Sequence, residues 1–279
     1  MTSRRFIQCD VFSPQPTRGN ALAVVVDGED LTEHQMRQFA AWTNLAETTF
    51  ILPSEDPVAD YRLRIFTPTR EMLFAGHPTL GSCAAWLHCG GKPRQNGVVR
   101  QECGVGIVEI DTSQPEIMAF GAPPTQIREM DQDHFEAIVD TLDIPRDRIL
   151  HTAELENGPI WQVLKLESAQ DVLALDSSRV RWPAFKGIGL IGAHASGSEC
   201  DYEVRMLAPS SGMSEDPITG SLNSALACWL RDQGRLPTAV QVAQGTTIGR
   251  VGRVYITPEP EQIKIGGHTH ILIEGSVEL

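Results

Sequence analysis

Residues 77–82 read HPTLGS and residues 216–221 read DPITGS. Each opens on an imidazole or a carboxylate, and Pro, Gly and Ser then recur in fixed places. The similarity extends upstream, where DYRLRIFTP (60–68) is echoed by DYEVRMLAP (201–209), with Asp, Tyr, Arg and Pro shared. The nonapeptides are offset by 141 residues and the hexapeptides by 139, in a chain of 279. Two matches at nearly one offset indicate an internal duplication. Each half is about 140 residues long, the length of a domain and not of a solenoid repeat. The Pro-rich stretch GAPPTQIREM (121–130) marks the boundary. The expected domains are therefore 1–120 and 121–279, with the final strand free to return to the first domain.

The pattern around the repeats is that of many strands and few helices. RRFIQCDVF, ALAVVVDG, ETTFIL and DYRLRIF read as strands in the first half, and GPIWQVLKL, GIGLIGAHA and CDYEVRML in the second. TEHQMRQFAAWT reads as a helix opened by a Thr32/Gln35 capping box, with Met36, Phe39 and Ala40 on its apolar face. After each repeat the period changes. HPTLGSCAAWLHCGG and DPITGSLNSALACWLRDQG are helical, apolar and rich in small residues, and each ends at glycine. Such a helix needs burial on every side. A curved sheet rolled around a central helix provides it. The predicted fold class is therefore α+β, two similar domains of this kind related by a pseudo-twofold, with a cleft between them.

Composition narrows the function. Net charge is −13 and no run of Lys or Arg occurs, so neither nucleic acid nor a membrane is expected as a partner. The longest apolar run, ALAVVV (21–26), is too short to span a bilayer, and the N-terminal MTSRRFIQCDVF lacks the apolar core of a signal peptide. The cysteines at 9, 83, 89, 103, 200 and 228 show no CxxC and no zinc-spaced His. They read as free thiols of a cytoplasmic protein, and no metal is expected.

A Pro-x-x-Gly-Ser start to a buried helix presents free N–H groups, which together with the helix dipole favour anionic oxygen. Two such starts aimed at one cleft would hold a carboxylate or a developing enolate. In this reading His77 and Asp216 stand at matching positions at the cleft edge, and Ser82 and Ser221 on the first helical turns. Gly76, Gly81 and Ser82 on one side, and Thr219 and Gly220 on the other, are the expected substrate-binding residues. The competing reading makes Asp216 a simple N-cap and His77 a core histidine.

Four segments carry a family resemblance. GNALAVV (19–25), NLAETTF (44–50), FTPTREMLFAGHPTLG (66–81) and RMLAPSSGMSEDPITGSLNSALA (205–227) resemble the phenazine-biosynthesis PhzF-like family, in family order and over nearly the whole chain. The family is related in fold to diaminopimelate epimerase. The resemblance implies a catalytic glutamate at Glu47, a supporting histidine at His77, and an aspartate and a serine at Asp216 and Ser221. It also implies a homodimer that isomerises a small molecule without a cofactor. Ala21 and Leu73 stand where the family usually has Pro, and the SLNSALACWL segment resembles a broad subgroup unlike the phenazine enzymes. The substrate is therefore not carried over with the mechanism.

Abstracting a proton from carbon requires a nearby base and a means of stabilising the enolate. The fold relatives use one thiol per half, but neither hexapeptide contains Cys. At the repeat offset Glu47 falls roughly on Ile188, so the halves are chemically unequal. One base removing a proton and returning it to another carbon describes a shift along the substrate better than inversion at one centre. The alternatives are a cofactor-independent racemase or epimerase with Glu47 and His77 as opposed bases, and a non-catalytic small-molecule binder. A Ser-His-Asp hydrolase is disfavoured because no GxSxG elbow is present.

Overall fold

A computed structural model describes residues 2–114, 116–209 and 213–279. The chain divides into two compact units, residues 1–121 with 266–279, and residues 122–265. No helix among the described residues is long and apolar enough to cross a membrane.

In the first unit the strands are β1 (Ser3–Val11), β2 (Asn20–Val25), β3 (Glu47–Leu52), β4 (Tyr61–Phe66), β5 (Glu71–Met72), β6 (Val98–Cys103), β7 (Gly106–Asp111), β8 (Met118–Gly121) and the last strand, β18 (Thr269–Glu278). They pair in the order β18-β1-β2-β3-β4-β6-β7-β8. All pairs are antiparallel except β2–β3 and β4–β6, which are joined by helical crossovers: α1 (Glu33–Thr43) for the first and α2 (Gly76–His88) for the second. The Thr32/Gln35 capping box opens α1, and Met36, Phe39 and Ala40 pack its inner face on Phe50 and Phe66. Helix α2 has no polar face to turn outward over its first two turns. Every residue from Gly76 to Cys83 is buried, and the helix touches β1, β2, β3, β6, β8 and β18. The sheet is rolled around it.

The second unit repeats this topology. Its strands are β9 (Gln126–Arg128), β10 (Ile149–Glu156), β11 (Ile160–Leu166), β12 (Ile188–Ala193), β13 (Tyr202–Leu207), β14 (Glu215–Asp216), β15 (Val240–Gln244) and β16 (Gly252–Pro258). A turn closed by the Glu259 N–H on the Gln262 carbonyl leads on to β17 (Ile263–Gly267). The pairing order is β9-β10-β11-β12-β13-β15-β16, with β11–β12 and β13–β15 parallel. Helix α3 (Gln132–Leu142) has no counterpart in the first unit. Helix α4 (Ala169–Leu173) matches α1, and α5 (Gly220–Asp232) matches α2 in length and place.

The two upstream nonapeptides are true counterparts. The Asp60 N–H donates to the Arg100 carbonyl, and its carboxylate accepts from the Arg100 N–H. Asp201 makes the same two bonds with Gln241. The shared arginine also has one job in both units. Arg64 grips Glu71 with Nε and Nη2, each at 2.7 Å, and so ties β4 to β5. Arg205 grips Glu215 likewise, with Nη2 at 2.6 Å, and so ties β13 to β14.

The hexapeptides, by contrast, are not in structural register. Four residues separate Phe66 from Glu71, but seven separate Leu207 from Glu215, so the offset widens from 141 to 144 before the helix. Gly76 therefore matches Gly220, and His77 matches Ser221 rather than Asp216. The helix ends agree. Gly90 donates to the Leu87 carbonyl as Gly234 does to that of Arg231, and both glycines are left-handed, at φ 92° and 66°.

Candidate active site

Glu47 is the first residue of β3, and its side chain faces the central helix, as does that of Thr49, which is hydrogen-bonded to the Ser82 hydroxyl of α2 at 2.8 Å. His77 is the second residue of α2, beside Pro78 in the first turn. These two placements bring Glu47 Oε2 to 3.3 Å from His77 Nε2. The imidazole is buried, and burial pushes its pKa down to about 3, with a hydrogen bond to the Ala21 backbone acting weakly in the opposite sense. The contact is therefore between a carboxyl group and a neutral ring, despite its ion-pair spacing. Asn20 closes the other side of the ring, its Nδ2 3.5 Å from Nδ1, while Nε2 completes no hydrogen bond. A buried ring nitrogen in that condition is suited to a substrate atom or to a proton in transit.

Helix α2 starts without a side-chain cap, at Ala75. Helix α5 likewise has no side-chain cap at Thr219. The N-cap reading of Asp216 is thus corrected. Asp216 lies on β14, three residues before the cap, and its carboxylate accepts the Thr219 hydroxyl. Gln244 braces this loop, its Oε1 accepting from the Thr219 N–H at 3.1 Å and from Asn223 Nδ2 at 2.8 Å. Its Nε2 donates to the Thr219 hydroxyl at 3.0 Å. The first turn of α5, with Gly220 and half-buried Ser221, is pinned from outside by Asn157, whose Nδ2 donates to the Ser221 carbonyl at 2.8 Å. Gln244, Asn223 and Asn157 were not legible as site residues, because single amides carry no spacing signal.

Two expected binding residues have other work. Ser82 lies in the second turn of α2, not the first, fully buried on the Thr49 hydroxyl. Gly81 is where α2 meets the sheet. A Cβ there would lie 2.6 Å from Leu22 Cδ2 and 3.0 Å from both Cys9 Sγ and Val11 Cγ2. Both residues set the helix-to-sheet distance. Gly76, at the helix start beside His77, keeps a place at the site.

Nor does Ile188 match Glu47. Thr48 pairs with Phe66 as Ile188 pairs with Leu207, so Glu47 falls on Gly187, one residue earlier and on the opposite face of the strand. Gly187 has φ 57°, and a Cβ there would meet the Ile160 carbonyl at 2.8 Å. The second unit thus carries no base at this position, which makes the chemical inequality of the halves stricter than the sequence indicates.

Comparison with known proteins bears on the family and the fold. The family of phenazine biosynthesis-like proteins, PhzC-PhzF, matches residues 9–275. Antisense-enhancing sequence 1 of Schizosaccharomyces pombe is 33% identical and covers 99% of both chains. The trans-2,3-dihydro-3-hydroxyanthranilate isomerase of Pseudomonas aeruginosa is 28% identical, again over 99% of each. Among solved structures, a PhzF-family protein of Bacillus anthracis superposes with a TM-score of 0.84 at 23% identity over 100% of both chains. A hydroxyproline epimerase of Agrobacterium vitis superposes at 0.67 with 13% identity, over 99% of this chain and 92% of its own. The fold is thus that of the diaminopimelate epimerase-like proteins. The chain belongs to the phenazine biosynthesis-like PhzF family, and it is an isomerase.

Proposed function

We propose that this isomerase moves a proton between two carbons of a small carboxylate-bearing substrate, with Glu47 as the single acid/base. The observation that carries the reading is the 3.3 Å approach of Glu47 Oε2 to a buried, neutral imidazole nitrogen of His77. The Glu47 carboxylate takes a proton from carbon. The electron pair left behind spreads into the adjacent unsaturation as an enolate. Glu47, now the acid, returns the proton to a carbon further along the same face. His77 Nε2 sits against the carboxyl group and orients it, and the ring's neutrality keeps a competing positive charge off that group. Within the second unit, the uncapped first turn of α5, with the Gly220 and Ser221 N–H groups and the Ser221 hydroxyl, is suited to an anionic group, and Asp216 to an amine or hydroxyl.

An epimerase working through two thiols is less well supported. The helix starts hold Gly76-His77-Pro78 and Gly220-Ser221-Leu222. The nearest thiol, Cys83, is fully buried, and burial pushes its pKa up, away from the thiolate.

The test is turnover in D2O of a panel of cyclic unsaturated amino and hydroxy acids, starting with trans-2,3-dihydro-3-hydroxyanthranilate, the compound named for the Pseudomonas relative. A shifted double bond that keeps part of the original hydrogen supports one base. Deuterium at an inverted stereocentre, with no bond shift, supports epimerisation instead.

A further inference from the structure

We propose that the second unit carries a separate small-molecule site on the face of its sheet turned away from α5, for a ligand with an apolar body and an ammonium or other N–H donor. Strand β11 and the start of β12 have two faces. A Cβ at Gly189 would lie against Leu222 of α5 and Val163, while Leu164, Ile188 and Leu190 pack with Ile138 and Val139 of α3. On that second face a cavity of about 470 Å³ opens between α3, β11 and residues 183–186. This is within the usual range for a small-molecule pocket, roughly 300–1,000 Å³. Ala137 and Ile138 form one wall, Ile160 and Ile188 the other, and Phe185 covers one side.

Besides the titratable groups His134, Glu154 and Lys186 in its lining, one unpartnered buried polar atom distinguishes this cavity from a packing defect. Gln162 lines it and is only 8% exposed. Its Nε2 donates to Glu154 Oε2 at 2.8 Å, and since a carboxylate only accepts, this bond fixes which end of the amide is oxygen. That oxygen, Gln162 Oε1, is buried and accepts no hydrogen bond. Native structures rarely leave such an atom unanswered. Glu154 lies alongside, its charge partly met by Arg128 Nη1 at 3.5 Å. An acceptor amide and a carboxylate side by side at the base of an apolar cavity call for a donor, and a cation satisfies both. Lys186 lines the cavity as well, with its ammonium 5.9 Å from the Trp182 ring centroid. It would repel the ammonium of a ligand seated the other way round, which fixes the orientation. None of these residues belongs to the acid/base site, so the two proposals fail independently.

The probes are tryptamine and phenethylamine, with 3-phenylpropionate as the anion of matched shape, titrated into the full chain by calorimetry. The expected result is saturable binding of the amines, at least tenfold tighter than of the carboxylate. Gln162→Leu should weaken it at least fivefold, and Ile160→Trp, at a half-exposed wall position where the chain tolerates bulk, should abolish it. Glu47→Gln should leave it unchanged. The proposal is overturned if no amine binds, if amine and carboxylate bind alike, or if neither cavity variant has an effect. It is equally overturned if Glu47→Gln removes binding, which would place the ligand at the catalytic site. A change of sedimentation in Ile160→Trp would assign the cavity to a subunit contact instead.

Discussion

Glu47 Oε2 and His77 Nε2 lie 3.3 Å apart although they come from different elements, the head of β3 and the first turn of α2. Two features hold them there. The parallel β2–β3 pair sets Glu47 opposite Leu22, and α2 is seated on β1 and β2 through the side-chain-free position at Gly81. The spacing of these two side chains is therefore sensitive to how closely the helix sits on the sheet.

Gly81→Ala tests that dependence. The added methyl would lie 2.6 Å from Leu22, closer than a relaxed core allows, and tightly against Cys9, so stability should fall by about 1–3 kcal/mol. The affinity of the remaining folded protein for substrate should be unchanged, while its kcat should fall severalfold as the Glu47–His77 spacing shifts. Equilibrium unfolding and Michaelis kinetics read the two effects separately. A tenfold rise in KM at unchanged stability would return Gly81 to the substrate-binding set.

His77 makes stability depend on pH. Burial holds its pKa near 3 in the folded chain, against an ordinary value of 6.5. Between these values the unfolded chain binds the additional proton, so its contribution is intact above pH 6.5 and is lost progressively as pH falls toward 3. The full difference is worth about 5 kcal/mol, and the step from pH 7 to pH 5 about 2 kcal/mol. Unfolding free energies from urea titration at those two pH values should differ by that amount more in the wild type than in His77→Gln. Equal pH dependence in both proteins would show that the ring is not buried neutral.

The two Arg–Glu clamps should differ in weight. Arg205 and Glu215 are both buried, and their spare groups are met by the Val172 and Leu175 carbonyls and the Thr247 hydroxyl. Glu215→Gln leaves a buried guanidinium without its counter-charge and should cost about 3–5 kcal/mol. Arg64 and Glu71 retain contact with water, so Glu71→Gln should cost about 1 kcal/mol or less. Thermal unfolding of both variants gives the comparison. Similar losses would mean that the second clamp is as hydrated as the first.

The duplication was legible because strand and turn chemistry was retained. Asp60 and Asp201 cap the same crossover, and Arg64 and Arg205 hold the same short strand. The hexapeptide match misled, because it is a local similarity five residues out of the structural register, beyond a loop that is three residues longer in the second unit. A gapless comparison cannot detect an insertion in a turn. The same limit displaced the counterpart of Glu47 from Gly187 to Ile188, and with a side-chain period of two that single residue turns the position onto the other face. Glu47 itself was found only through its NLAETTF resemblance. An acidic residue at a strand head has nothing in its local pattern that separates a base from a surface charge. The Gln244 brace was hidden for a similar reason, since it joins residues about 25 positions apart through a side-chain amide.

The central claim is that Glu47 both removes and returns the proton. The most direct test is the isomerisation rate of Glu47→Gln on a confirmed substrate, with binding measured alongside. The amide keeps the size and much of the hydrogen bonding but cannot accept the proton. The rate should fall by at least about 10²–10⁴-fold while the substrate Kd stays within a few-fold of wild type. A variant that keeps most of its activity would contradict the single-base mechanism and move the base to His77.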